Sequence, residues 1–144
     1  ALSLGNKFNE NIWWVICGEV KYEADGEPRV KIQCHCRECQ YLSGGNPNVV
    51  LGMSNSDFKY FKGAPKTYLR NDLDTPRSRD FCSNCETHLL TRSPSLPDGV
   101  LIKVGTLDDP SIFIGADVII QTADKQSFHH IPEGTPKFER FKNQ

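Results

Sequence analysis

Apolar residues come in short runs separated by turn residues, and nowhere keep a helical spacing over a long stretch. That texture predicts strands. The longest apolar run, Ile12–Cys17, is strand-sized. Val20–Ala24 and Arg29–Gln33 flank Asp25-Gly26-Glu27-Pro28, so they read as a hairpin whose second arm ends on Cys34. Val49–Met53, Thr67–Leu69, Arg77–Phe81 and His88–Arg92 read as further strands, with a polar loop at Asn71–Pro76. Val100–Val104 and Val118–Gln121 are the richest in β-branched residues. Cys36–Leu42 predicts about one turn of helix, stopped by Gly44-Gly45. Asn55–Phe58 opens with cap-type residues and predicts another short helical turn. The expected fold class is mainly β, with small antiparallel sheets joined at metal knuckles. No repeat, low-complexity tract or linker interrupts the pattern, so a single domain over residues 1–144 is expected.

Charge narrows the function classes. Lys and Arg number 17 against 18 Asp and Glu, a net charge of -1. Acidic residues such as Asp72, Asp74, Asp108, Asp109 and Asp117 are interspersed with the basic ones. A zinc-ribbon nucleic-acid binder would cluster its positive charge, so no nucleic-acid partner is expected. No apolar run approaches a membrane span, so no membrane partner is expected either. No secretory signal is read at the start of the chain, and the expected location is cytoplasmic.

The six cysteines change the picture most. Cys34, Cys36 and Cys39 form a C-x-C-x-x-C run, Cys82 and Cys85 a C-x-x-C, and Cys17 stands apart. Close thiols without a secretory signal point to metal or redox chemistry rather than a disulfide framework. A thioredoxin-like pair belongs at a strand-to-helix junction, whereas Cys82 and Cys85 fall between two strand-like stretches, which favours a metal knuckle. Six thiols cannot fill two four-thiolate sites. Either one site is complete and two thiols are spare, or two sites hold three thiols each: Cys34, Cys36 and Cys39 in one, Cys17, Cys82 and Cys85 in the other. The first set could equally be an ordinary closed site completed by Cys17 or by His35. Thiolate donors make zinc the default ion.

The ordered series Cys17-Gly18-Glu19-Val20-Lys21-Tyr22, Cys34-His35-Cys36-x-x-Cys39 with Ser43-Gly44, Arg79-Asp80-Phe81-Cys82-x-x-Cys85 and Gly105-Thr106-Leu107-Asp108-Asp109 resembles the glutathione-dependent formaldehyde-activating enzyme family, which also contains centromere protein V. The resemblance extends from about Trp14 to Phe138. It implies a zinc-binding β-tent fold and a carbon–sulfur lyase that forms or cleaves S-hydroxymethylglutathione. The implied partners are a small thiol such as glutathione and an aldehyde, and a homodimer is compatible with it. Cys34, Cys36 and Cys39 match the family's catalytic zinc ligands; Cys82 and Cys85 match ligands of its structural zinc. Cys17 matches the second member of a C-x-C pair whose first member falls at Val15, which cannot ligate. His88, Glu86 or water is then needed as fourth ligand. Glu86 also replaces a usual Gly, Asp117 a usual His and Phe128 a usual Trp.

An open position on zinc suits thiol delivery, because the cation stabilises a thiolate and the thiolate is the nucleophile. Three thiolates dull the Lewis acidity, so thiol–aldehyde chemistry ranks above hydrolysis. The competing reading is a non-catalytic zinc module that binds a protein. An open fourth position at Cys34, Cys36 and Cys39 discriminates for the enzyme. Among other residues, Arg37, Arg77 and Arg79 are candidates to hold the carboxylates of a tripeptide thiol, or form a solvated basic face. His35 either orients a group behind the ligands or is a plain loop residue. Ser43-Gly44-Gly45 either offers backbone N–H groups or only turns. Gly105–Pro110 reads as a strand end and turn. His129 and His130 would face opposite ways in a strand, which argues against joint ligation. Trp13 and Trp14 read as cover for the core.

Overall fold

The structure is a computed structural model and describes residues 12–141, excepting the side chains of residues 12–14. It holds ten strands: β1 (Ile12–Trp14), β2 (Lys21–Ala24), β3 (Val30–Cys34), β4 (Asn48–Ser54), β5 (Phe58–Lys62), β6 (Lys66–Leu69), β7 (Ser78–Phe81), β8 (His88–Arg92), β9 (Gly99–Lys103) and β10 (Val118–Ile120). One α-helix, α1 (Arg37–Leu42), follows β3, and short 3-10 turns fill several connections. The mainly-β class expected from the pattern is the class observed. A three-stranded sheet runs β1-β2-β5, and a seven-stranded sheet runs β10-β3-β4-β9-β8-β7-β6. All strand pairs are antiparallel except β10 with β3.

One expectation needs correcting. β2 and β3 do not form a hairpin: β2 pairs with β1 and β5, β3 with β4 and β10. The connecting residues carry the chain from one sheet to the other. The Asp25 N–H bonds to Asp57 O and the Arg29 N–H to Gly52 O, so each end is tied to a different neighbour. Turn residues mark a change of direction, but not the partner of the next strand. The strand β5 escaped the pattern because its Phe-Lys-Tyr-Phe-Lys alternation lies at a half-exposed edge.

The large sheet has two unlike faces. The register aligns Arg79 with Thr91, Thr91 with Leu101 and Leu101 with Gly52. By the two-residue period of a strand, Cys34, Asn48, Lys103, Thr91 and Arg79 share one face. Leu51, Met53, Leu90, Val100 and Ile102 point the other way, into the core with Val20, Tyr22 and Ala24 of and beside β2. Burying side chains of this size contributes about 1.5–3 kcal/mol each. Near the rim a bulge leaves Leu89 without a partner, because Asp80 pairs with Leu90 and Phe81 with His88. On the core side, buried Asp80 is satisfied by Tyr60, Thr67 and Arg92 at 2.8, 2.8 and 2.9 Å. The helix α1 covers the polar face. Among the described residues no helix is long and apolar enough to cross a membrane.

Candidate functional site

The thiols gather in two groups of three. The sulfurs of Cys34, Cys36 and Cys39 lie within 4.8 Å of one another, as do those of Cys17, Cys82 and Cys85. Of the two partitions that the cysteine count permits, the structure forms three and three. His35 does not complete the first group, since its ring bonds elsewhere, and Cys17 sits 3.7 Å from Cys82 in the second. No described Cys, His, Asp or Glu joins either group as a fourth member.

Local structure explains the first group. Cys34 ends β3, and Cys36 caps the N-terminus of α1, its sulfur accepting the Cys39 N–H at 3.2 Å. One turn of helix then brings Cys39 back, leaving its sulfur 3.0 Å from that of Cys36. Gly44 and Gly45, both at positive φ, end the helix as expected. Hydrogen bonds from Cys34 and Cys39 hold the Cys36 thiol well below the usual thiol range, while the bond to Cys36 raises Cys34. The metal-free cluster thus shares its protons around one sulfur, and those protons are what a soft divalent cation displaces.

Behind the ligands, the chain is held by buried polar groups. Arg79 Nε and Nη2 donate to Glu38 Oε2, and Nη1 donates to Thr91 Oγ1 at 3.0 Å. Glu38 lies between Cys36 and Cys39, so the pair pins the ligand turn to β7. Arg79 is therefore engaged and is not available for a substrate carboxylate. Arg37 lies over the Tyr41 ring and donates to Gln40. Arg77 lies over Phe141, and its charge contributes to lowering the Cys36 thiol.

His35 is fully buried and part of a directional chain. His129 Nε2 faces Gly45 O at 2.8 Å and must donate to it. His129 Nδ1 then accepts, from His35 Nδ1 at 2.8 Å and from the Gln126 N–H at 3.2 Å. His35 Nε2 accepts from Gln33 Nε2 at 2.9 Å. Both rings are neutral in this arrangement, and burial holds His35 below the ordinary histidine range. Of the two readings for His35, orienting the ligand loop is the one supported: it ties that loop to Gly45 through His129. His129 and His130 lie outside any strand, so the strand argument about them does not apply; His130 contributes its backbone O to Gln33.

The second group is built by a knuckle between β7 and β8. The Cys82 N–H bonds to Thr87 O and the Glu86 N–H to Cys82 O. Glu86 takes φ 64°, the left-handed region that favours Gly. Glu86 and His88 line a cleft instead of joining the thiols. Val15 is fully buried, packed in the core that contains Cys82 and borders Cys85. Thr87 Oγ1 lies 3.1 Å from Cys85 Sγ and lowers that thiol to about 6. Burial raises Cys82.

The remaining departures have local consequences. Asp117 accepts the Lys31 N–H at 3.0 Å and returns its own N–H to Lys31 O, fastening the chain beside β3 just before β10. Phe128 is exposed and meets His129 edge-on. Gly105–Pro110 is a turn, as expected, but holds no strand end: β9 stops at Lys103, and Gly105 and Thr106 belong to a 3-10 turn, Val104–Thr106, that leads into the loop. The expectation for Trp13 and Trp14 concerns side chains outside those described.

The cleft, of about 350 Å³, lies beside α1, lined by Leu42, Lys66, Tyr68, Phe81 and His88 among others. Sequence reasoning missed it, and missed Lys103, a buried lysine of β9 whose Nζ donates to Asn48 Oδ1 at 2.7 Å. One signal for Lys103 was present: a single charge inside the apolar run Val100–Val104. For the cleft none was, because its residues come from α1, the β7–β8 knuckle and separate strands.

Comparison with known proteins agrees with this geometry. None of the curated proteins is significantly similar to the chain. A Rhodobacter sphaeroides protein of known crystal structure shares the fold, with a TM-score of 0.57 at 15% identity, over 88% of this chain and 98% of that one. The model of the glutathione-dependent formaldehyde-activating enzyme family matches residues 15–123, a span that includes both thiol groups. The chain belongs to the glutathione-dependent formaldehyde-activating enzyme family.

Proposed function

We propose that the protein is a zinc-dependent carbon–sulfur lyase that forms or cleaves an adduct between a thiol such as glutathione and an aldehyde, S-hydroxymethylglutathione being the reference case. The observation that carries this reading is the three-thiol group Cys34, Cys36 and Cys39, which no fourth described side chain closes. Its donor set fits zinc. When bound there, zinc supplies positive charge and a position where an incoming thiol is stabilised as thiolate. The protein's own part is to hold that position still. Glu38 and Arg79 fix the ligand turn, and the chain Gln33–His35–His129–Gly45 fixes the loop beyond it.

The cleft lined by Leu42 of α1 and by Arg79, the partner of Glu38 in the ligand turn, is the proposed seat for the body of the thiol. Lys66 offers a cation for a carboxylate, and Tyr68 and Phe81 offer apolar cover. Burial lowers His88, leaving it neutral to exchange hydrogen bonds with a peptide group. Cys17, Cys82 and Cys85 hold a second, structural zinc that braces the β7–β8 end. That no described Cys, His, Asp or Glu joins Cys34, Cys36 and Cys39 supports the enzyme over a non-catalytic zinc module.

Zinc-loaded, chelator-stripped and Cys36→Ser proteins compared for the rate of adduct formation test the reading. Stripping or Cys36→Ser is expected to lower the rate by on the order of a hundredfold. Full activity after complete zinc removal would refute it.

A further inference from the structure

Lys103 poses a problem that the fold does not resolve internally. Its side chain is buried, with 8% of the residue exposed. Buried ammonium groups are rarely left without a negative partner. Among the described residues no carboxylate lies within ion-pair distance of Lys103; Asn48 Oδ1, a neutral acceptor, takes its Nζ. The other charged or titratable groups facing it are Arg79, His88 and the three thiols of Cys34, Cys36 and Cys39. Arg79 is positive and already paired with Glu38. Only the thiols can supply negative charge.

The sheet register explains the approach. Cys34 stands opposite Asn48, and Val50, two residues along, stands opposite Lys103. Cys34, Asn48, Val50 and Lys103 therefore share one face, with Asn48 holding the ammonium beside Cys34.

We propose that Lys103 is the counter-charge of the metal–thiolate centre at Cys34, Cys36 and Cys39, and that it disposes this centre to take an anionic thiolate, rather than a neutral donor, as fourth partner. This rests on the zinc reading above. Three thiolates around a divalent cation leave one negative charge in excess. A further thiolate adds another, which a water-excluding sheet face would resist. A fixed ammonium on that face offsets the excess. Lys103 acts through the centre and is thus a positioning residue.

Cobalt(II)-loaded protein tests this, because its thiolate absorption band reports both loading and the fourth partner. The probes are 2-mercaptoethanol, which binds as an anion, and imidazole, which binds neutral. Lys103→Met is expected to weaken 2-mercaptoethanol binding about tenfold at pH 7 and to leave imidazole binding unchanged. Lys103→Arg is expected to restore the thiol affinity. Lys103→Gln, which keeps a donor for Asn48, gives the same answer as Met should the latter pack poorly. Equal loss for both probes would mark a structural role and overturn the inference, as would unchanged thiol binding. Wild-type protein that loads no cobalt at Cys34, Cys36 and Cys39 would overturn the zinc reading, and this inference with it.

Discussion

Glu38 Oε2 accepts two hydrogen bonds from Arg79, at 3.0 Å from Nε and 2.7 Å from Nη2. One residue sits between two metal-ligand candidates; the other sits in β7, three residues before Cys82. The pair therefore links the two thiol groups through one rigid connection. Arg79 is 2% exposed, so its removal leaves Glu38 poorly compensated, with Arg70 at 3.3 Å as its remaining cation. Arg79→Met is expected to destabilise the protein by about 3 kcal/mol in urea unfolding. Glu38→Gln, which keeps an acceptor, is expected to cost less. A loss below about 1 kcal/mol in Arg79→Met would show that the pair does not hold the turn.

Glu86 occupies a left-handed backbone position at φ 64° and extends into the cleft region. A residue with a Cβ pays strain there that glycine avoids. Glu86→Gly is expected to raise stability by about 0.5–1 kcal/mol, measured by thermal unfolding. A fall in stability would mean that the Glu86 side chain makes a contribution larger than the strain.

The family resemblance implies a cysteine, a fourth thiol for the second group, at the position of the buried Val15. Val15→Cys is expected to cost the metal-free protein about 1 kcal/mol through lost packing. With zinc it is expected to raise the melting temperature above wild type and tighten binding at that group, because a fourth thiolate is supplied. Absence of any zinc-dependent gain would place the missing ligand elsewhere.

In metal-free protein, Cys85 is held near 6 because the Thr87 hydroxyl donates to its thiolate. Its folded value lies below the unfolded one. The stability it contributes is therefore present above pH 9 and lost as pH falls through about 6. Alkylation of Cys85 by iodoacetamide should show a midpoint near pH 6, and Thr87→Val should move that midpoint upward. An unchanged midpoint in Thr87→Val would exclude the hydroxyl as the cause.

Much of this site is legible in the sequence because close ligands are joined by short segments. The spacing of Cys36 and Cys39 allows one helical turn to bring them together, with Cys34 delivered by the end of β3, and that is how the three meet. Cys17 joining Cys82 and Cys85 required a long-range pairing that spacing alone left open and the family resemblance supplied. The failed hairpin at Asp25–Pro28 shows the limit: local turn chemistry bends the chain, but tertiary hydrogen bonds from the Asp25 and Arg29 N–H groups to Asp57 O and Gly52 O choose the sheet each arm enters. Arg79 read as either a carboxylate-holding residue or part of a solvated basic face, and it is neither, because sequence cannot show that Glu38 already occupies it in a buried pair. Lys103 was hidden among apolar neighbours for the same reason, its meaning lying across the sheet at Asn48.

The central claim is that Cys34, Cys36 and Cys39 form an open zinc centre for thiol–aldehyde chemistry. Two-dimensional exchange NMR on an equilibrium mixture of glutathione, formaldehyde and S-hydroxymethylglutathione measures the interconversion directly. Zinc-loaded wild type should accelerate exchange above the protein-free mixture, and zinc-loaded Cys36→Ser should return it to that background. Exchange at the background rate in fully zinc-loaded wild type, or undiminished acceleration by Cys36→Ser, would contradict the account.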